Sequence, residues 1–327
     1  MSRSELPEFA SVDDPDFQKP AEAYVRLPGF SSVYAIWPAS REGTVLIIAD
    51  RVRGVQALDV ETQALVAGVH FQDELEPGDD RVVVGAALTS DGVSLRWFDI
   101  RGRLWTSTSP HERPVCLQDI RCNGIWSASF SPSGRTLFAA RRDQKVQALN
   151  CDSGMILWTT ERLPHHSCRP TAVCFDEDGL CVSTFSAADS SNRIRVWDLA
   201  SGQVLATHQG IDGSYIYWAD GHSAFVGVST STSRTSQAIM ELNLKTGGYV
   251  VCRDVHSSDF TAMAIHRPTR RLWIGTLDGK LLMHPLNGSD SALQVVGQRD
   301  SLIRQIVVFG AGRHIAMVLA DGSVWCR

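Results

Sequence analysis

The chain has 327 residues, of which 43% are hydrophobic and 20% charged, a composition that can bury a sizeable core. Its net charge of −5 leaves no basic footprint and argues against nucleic acid as a partner. No apolar run reaches the roughly 20 residues of a membrane span, and the opening stretch from Met1 to Glu8 has no apolar signal core, so a cytoplasmic or nuclear protein with no membrane role is expected.

Residues 1–20 carry Pro7, Pro15 and Pro20 among acidic residues and are read as a flexible tail. Residues 21–327 are read as one domain. Its first element is an isolated strand pattern, Glu22–Leu27. A repeat then begins. The segments Val55–Asp59, Leu95–Asp99, Val146–Asn150, Ile194–Asp198, Ile239–Asn243, Leu281–Pro285 and Val324–Arg327 are short and apolar, and five of the seven end in Asp or Asn. Their fifth positions are spaced by 40, 51, 48, 45 and 42 residues, the period of a four-stranded propeller blade.

The flanks repeat as well. An apolar run precedes each segment, as in Val45–Ala49, Val82–Ala86, Thr136–Ala140 and His314–Leu319. Turn residues follow these runs, including Asp91-Gly92, Asp278-Gly279 and Asp321-Gly322, where glycine accepts a positive φ without steric cost. A further turn and strand come after each segment, as in Asp152-Ser-Gly154 before Met155–Trp158. The expected fold is all-β: a seven-bladed β-propeller of four-stranded antiparallel blades. The seventh blade stops at its third strand, so Glu22–Leu27 is expected to supply the missing outer strand and close the ring.

Ile194-Arg-Val-Trp-Asp198-Leu-Ala-Ser-Gly202 resembles a WD40 repeat, with the Trp-Asp pair ending the third strand. That resemblance implies a polar network in this blade, carried by His166 before the first strand, Asp189 in the second hairpin, and Trp197 with Asp198. The other repeats are degenerate. Val146–Asn150 with the turn that follows, and Val55–Asp59, are also similar to repeats of quinoprotein-like propellers. No vicinal Cys pair is present, so no quinone cofactor is expected.

The search for chemistry returns little. There is no Gly-x-Ser-x-Gly elbow. Gly275–Lys280 reads as a hairpin turn, not a phosphate loop. Cys116 with Cys122, and His165-His166-Ser-Cys168, lack the paired four-ligand spacing of zinc sites, so no metal is expected. The eight cysteines are scattered and read as small hydrophobes.

In a propeller the turns between second and third strands share one end with the connections between blades. That end is expected to carry Arg51, Arg53, Arg141, Arg142, Arg193 and Arg234. Arg is enriched at interface hot spots, so a protein or peptide partner, acidic in character, is expected there. The long connection Ser107–Gly124 and the Ser/Thr run Ser229–Ser236 belong to the same end and are further candidates for binding or phosphorylation. The expected function is a non-catalytic scaffold or adaptor. The alternatives are a propeller enzyme with a small-molecule site in its central channel, and a reader of modified peptides at the channel mouth.

Overall fold

The computed structural model describes residues 24–40, 43–69, 82–89, 91–92, 94–108, 114–120, 122, 124–143, 145–160, 173–175, 180–186, 192–209, 213–219, 223–229, 236–256, 260–266, 268–286 and 294–327. The proposed tail, residues 1–20, lies outside them. Among the described residues, 28 strands pair into seven four-stranded antiparallel sheets.

The first sheet is β2 (Val33–Pro38), β3 (Val45–Asp50), β4 (Gly54–Asp59) and β5 (Leu65–Val69). The second is β6 (Val83–Leu88), β7 (Leu95–Asp99), β8 (Arg103–Ser107) and β9 (Val115–Asp119). The third is β10 (Ile125–Phe130), β11 (Thr136–Arg141), β12 (Val146–Asn150) and β13 (Ile156–Thr159). The fourth is β14 (Val173–Phe175), β15 (Leu180–Ser186), β16 (Asn192–Asp198) and β17 (Val204–Gln209). The fifth is β18 (Gly213–Ala219), β19 (Ser223–Ser229), β20 (Ser236–Asn243) and β21 (Tyr249–His256). The sixth is β22 (Phe260–His266), β23 (Arg271–Thr276), β24 (Lys280–Pro285) and β25 (Gln294–Gln298). The seventh is β26 (Ile303–Phe309), β27 (His314–Leu319) and β28 (Val324–Cys326), with β1 (Val25–Arg26) as its outer strand. In that last pair Val25 faces Cys326 and Arg26 faces Trp325.

The core explains why the apolar runs are continuous rather than alternating. Buried side chains form one cluster between each pair of consecutive sheets. In β11, Leu137 and Ala139 pack toward the second sheet, with Phe98 and Leu104. Phe138 and Ala140 pack the other way, with Trp197 and Leu199 of the fourth sheet. Successive side chains of a strand point to opposite faces, and both faces are covered here. A further cluster joins the first and seventh sheets through Leu27, Ile36, Phe309 and Val318. Two hydrogen bonds reinforce that junction: Gln305 Nε2 donates to Ile36 O at 2.8 Å, and Ile36 N–H donates to Gln305 Oε1 at 3.1 Å.

Four turns between third and fourth strands share one construction. Asp59, Asn150, Asp198 and Asn243 each accept from a backbone N–H three residues on, which is why a short Asx side chain recurs there. One residue beyond each of those donors, the chain turns left-handed at Gln63 (φ 57°), Gly154 (φ 73°), Gly202 (φ 72°) and Gly247 (φ 73°). Gly202 has a second constraint, because an added Cβ would fall 2.5 Å from the Trp158 ring. Only the first turn uses a residue with a side chain. Gln63→Gly is therefore expected to raise unfolding free energy by about 1 kcal/mol, the cost of holding an L-residue in this conformation. Urea denaturation of the two proteins checks it.

One sequence expectation needs correction. Leu95–Asp99 is the second strand of its sheet, not the third. The run expected as a second strand at Val82–Ala86 contributes to the first, and Asp91-Gly92 turns between first and second strands. Trp97 therefore sits in a second strand and Trp105 in a third. The connection expected at Ser107–Gly124 contains a whole strand, β9, which pairs with β8. The physical cause is the shared turn chemistry. Asp99 accepts from the N–H groups of Arg101 (3.0 Å) and Arg103 (2.9 Å), much as Asp59 accepts from Glu61 (3.1 Å) and Thr62 (2.8 Å). An apolar strand ending in Asp can thus precede either kind of turn.

Candidate functional site

The turns between second and third strands are pinned to the connections between sheets by backbone hydrogen bonds. Ile125 N–H donates to Ile100 O (2.8 Å), Arg142 N–H to Gly124 O (2.9 Å), Arg51 N–H to Ser32 O (3.3 Å) and Val33 N–H to Gly322 O (3.1 Å). This end of the fold is a set of short, braced turns on which side chains stand.

The expected arginines fall out as follows. Arg51 is exposed. Arg53 is half-buried, its guanidinium carbon 5.4 Å from the centre of the Phe30 ring. Arg141 is held by Asp143 at 2.5 Å and by Gln147 Oε1 at 2.8 Å. Arg142 is exposed and stacks on Trp126 at 4.7 Å. Arg193 is the second residue of β16, its side chain outside the described residues, and Arg234 lies outside them altogether, as does most of the Ser/Thr run. The corrected register adds two residues that the sequence reading missed. The turn of the second sheet is Ile100–Gly102, so Arg101, exposed, and Arg103 belong to this end. The signal was available: taking Ser107 as the end of the third strand changes the first two spacings from 40 and 51 to 48 and 43.

Of the expected polar network, His166 and Asp189 lie outside the described residues. Trp197 is buried, stacked on Trp158 with ring centres 6.0 Å apart. Asp198 accepts from the Ser201 hydroxyl, which holds its carboxyl below the usual carboxylate range. Comparable networks occur in other sheets. Ser32 Oγ donates to the buried Asp50 at 2.7 Å. Trp105 Nε1 donates to the buried Asp99 at 3.1 Å, and Arg103 Nε to the same carboxylate at 2.7 Å. In the seventh sheet Trp325 Nε1 donates to Ser323 Oγ (3.2 Å), which donates to Asp321 (2.7 Å).

These bonds have a pH signature. Burial pushes the Asp50 carboxyl up, but the Arg53 N–H, the Ser32 hydroxyl and the Val52 N–H together outweigh it and leave it below its ordinary value. Asp59 is lowered chiefly by the Thr44 hydroxyl, and Asp321 by Ser323 against its burial. A carboxyl depressed in the folded state contributes stability above its unfolded value and loses it as pH falls through the folded one. Stability is therefore expected to be level above about pH 5 and to decline as pH falls below about 4. Denaturant titrations across that range check it, and Asp50→Asn should flatten the decline.

Burial pushes the thiols of Cys151 and Cys326 up to about 12, and burial is also the main cause raising Cys116, Cys122 and Cys252. None of these five has the lowered value of a nucleophilic thiol. Among the described residues no group of three His, Cys, Asp or Glu could hold a metal ion, and no helix is long and apolar enough to cross a membrane.

Four-stranded antiparallel sheets packed one after another through their faces define a β-propeller. A family model for the WD domain, G-beta repeat, matches residues 114–147 and 157–198. Each match runs from a fourth strand into the third strand of the next sheet, which agrees with β9 as a fourth strand. Among solved structures, U3-55K superposes with a TM-score of 0.69 at 15% identity over 94% of this chain and 98% of that one. The WD40 repeats of RRP9 give 0.69 at 16% identity over the same shares, 94% and 98%. The WD40 β-propeller domain of Doa1 gives 0.65 at 14% identity, covering 93% and 96%. At such identities the likeness is one of fold. No curated protein matches the sequence. The chain therefore has the fold of a β-propeller, and two of its stretches match the WD repeat.

Proposed function

We propose that the seven sheets are the blades of one closed ring and that this ring is a non-catalytic scaffold, binding protein partners at its loop end. The pairing of β1 with β28 and the Gln305–Ile36 clasp support closure. The observation that carries the platform reading is the loop end itself: braced turns with Arg51, Arg101 and Arg142 standing exposed. Rigid backbone keeps the ordering cost of association low, and arginine on such a surface forms directional contacts with carboxylates. The proposal keeps the cytoplasm or nucleus as the place of work.

Affinity purification of the tagged full chain from its own cells, with mass spectrometry, tests the reading. Partners recovered in stoichiometric amounts are expected. A protein that comes down alone, with a small molecule bound, would instead support a ligand site in the channel.

A further inference from the structure

Half of the exposed large hydrophobic side chains among the described residues lie on three consecutive outer strands. They are Met155–Leu157 where β13 begins, Val204-Leu205 of β17 and Tyr249–Val251 of β21, each between 39% and 67% exposed. The three sheets pack side by side, through Phe138 with Trp197 and through Ile194 with Leu242. At the outer rim, the turn that leads into each next outer strand laps over the outer strand before it. Trp158 Nε1–H donates to Leu199 O at 2.7 Å, and His208 Nε2 lies 3.1 Å from Leu244 O. The apolar segments therefore follow one another along a single strip.

The strip has a charge pattern. Its three turns are built alike, so Asp152, Ala200 and Lys245 hold the same place, two residues after the Asx acceptor, and all three are exposed. Charge thus runs negative, neutral, positive across the third, fourth and fifth sheets. Asp152 holds Arg96 at 2.6 Å, yet its side chain is still 53% exposed. Between those positions and the ends of the apolar segments, Ser153–Leu157, Ser201–Leu205 and Thr246–Val251 contain no charged residue. A row of minus, zero and plus is matched by its own reverse, as an isologous two-fold contact requires. Each outer strand also carries a bulge, at Leu157, Leu205 and Cys252. A bulge breaks the edge with which an added strand would pair, which leaves contact through side chains. At their exposures the eight side chains present on the order of 700 Å², near the about 800 Å² that one partner brings to a standard interface and above the patch usual on a monomer. Interfaces between identical subunits are the more apolar class, which fits an uncharged strip. Residues 161–172, 176–179 and 220–222 lie outside the described residues, and the strip is defined without them.

We propose that this strip is the interface of a two-fold homodimer. The axis passes at Val204-Leu205, and Asp152 of one copy meets Lys245 of the partner subunit at both ends. The inference goes beyond the platform reading and does not depend on it, since it uses the outer rim and leaves the loop end free.

The test is light scattering and sedimentation of the full chain at concentrations from about 1 to 100 µM. A dimer is expected, and it should persist at high salt because its main contact is apolar. Leu205→Glu and Val250→Glu should each weaken association about tenfold or more, by placing a charge in the apolar contact. Lys245→Glu should weaken it at low salt, by setting carboxylate against carboxylate, and D152R/K245E should restore it. Val295→Glu, an equally exposed apolar position on the outer strand of the sixth sheet, should leave it unchanged. Circular dichroism of each variant confirms folding. A wild type that stays monomeric overturns the proposal, and loss of a cellular partner in Leu205→Glu would then assign the strip to a different protein. Equal loss in Val295→Glu also overturns it, and a dimer indifferent to Lys245→Glu overturns the two-fold register.

Discussion

Tyr24→Ala is expected to lower unfolding free energy by about 3–5 kcal/mol, the range for removing a large aromatic side chain from a core. Tyr24 precedes the two-residue strand β1 and is 4% exposed. Its ring packs in the cluster between the sixth and seventh blades with Trp273, Leu281 and Ile306. Two guanidinium groups bracket it, Arg299 at 5.3 Å and Arg327 at 5.9 Å from the ring centre, and Arg299 also lies 4.3 Å from Trp325. Such cation–ring contacts add about 0.5–2 kcal/mol each beyond the buried area. Removing the ring therefore opens a cavity and takes one aromatic contact from each of two cations. Tyr24→Phe keeps the ring and should keep most of the stability. Urea denaturation measures the difference. Amide exchange at Val324–Cys326 localises it, since β28 loses its outer partner when β1 detaches. Exchange there that is unchanged in Tyr24→Ala would show that β1 holds without its anchor.

The second large effect is expected at Asp99. Its carboxylate is 1% exposed and takes the Arg103 Nε–H at 2.7 Å, the Trp105 Nε1–H at 3.1 Å and two backbone N–H groups. Asp99→Ala leaves all of these donors without their acceptor, including a largely buried cation. Breaking one partner of a buried pair costs about 3–5 kcal/mol. Asp99→Asn retains an acceptor of the same shape and should lose distinctly less. Thermal and urea unfolding of both variants would show it. An alanine variant as stable as the asparagine one would mean that water replaces the carboxylate without penalty.

How much of this was legible beforehand depends on which residues carried the signal. Strand–turn chemistry was readable wherever a turn demanded one residue type. The Asn150–Gly154 and Asp198–Gly202 turns announce themselves through an Asx acceptor and a left-handed glycine. In the second blade the same logic misled, because Asp99 satisfies a turn between second and third strands as well as Asp59 does a turn between third and fourth. The uneven spacing was the remaining clue, and it bears directly on the site: a one-strand shift concealed Arg101 and the Asp99–Trp105 contact. Which arginines stand exposed was not readable at all. Whether Arg141 or Arg142 points outward depends on Asp143, Gln147 and Trp126, and on a register that sequence spacing alone does not fix. The polar networks show the same limit. They were sought in the blade with the Trp-Asp pair, while the described ones are built from Ser32 with Asp50, Asp99 with Trp105, and Asp321 with Ser323 and Trp325.

The pairing of Val25 with Cys326 has a consequence for how the molecule is made. During synthesis β1 emerges before the other described strands, and its partner strand β28 follows all of them. Until β28 follows, β1 waits without an edge to join, while six other sheets can form from neighbouring sequence. The final blade is the one with the longest loop to close, and closure entropy rises with that length. Assembly order is thereby imposed: local hairpins first, the joint between the first and last strands at the end. A chain stalled before β28 would carry its unmatched strand into solution, where another incomplete copy could offer the missing edge.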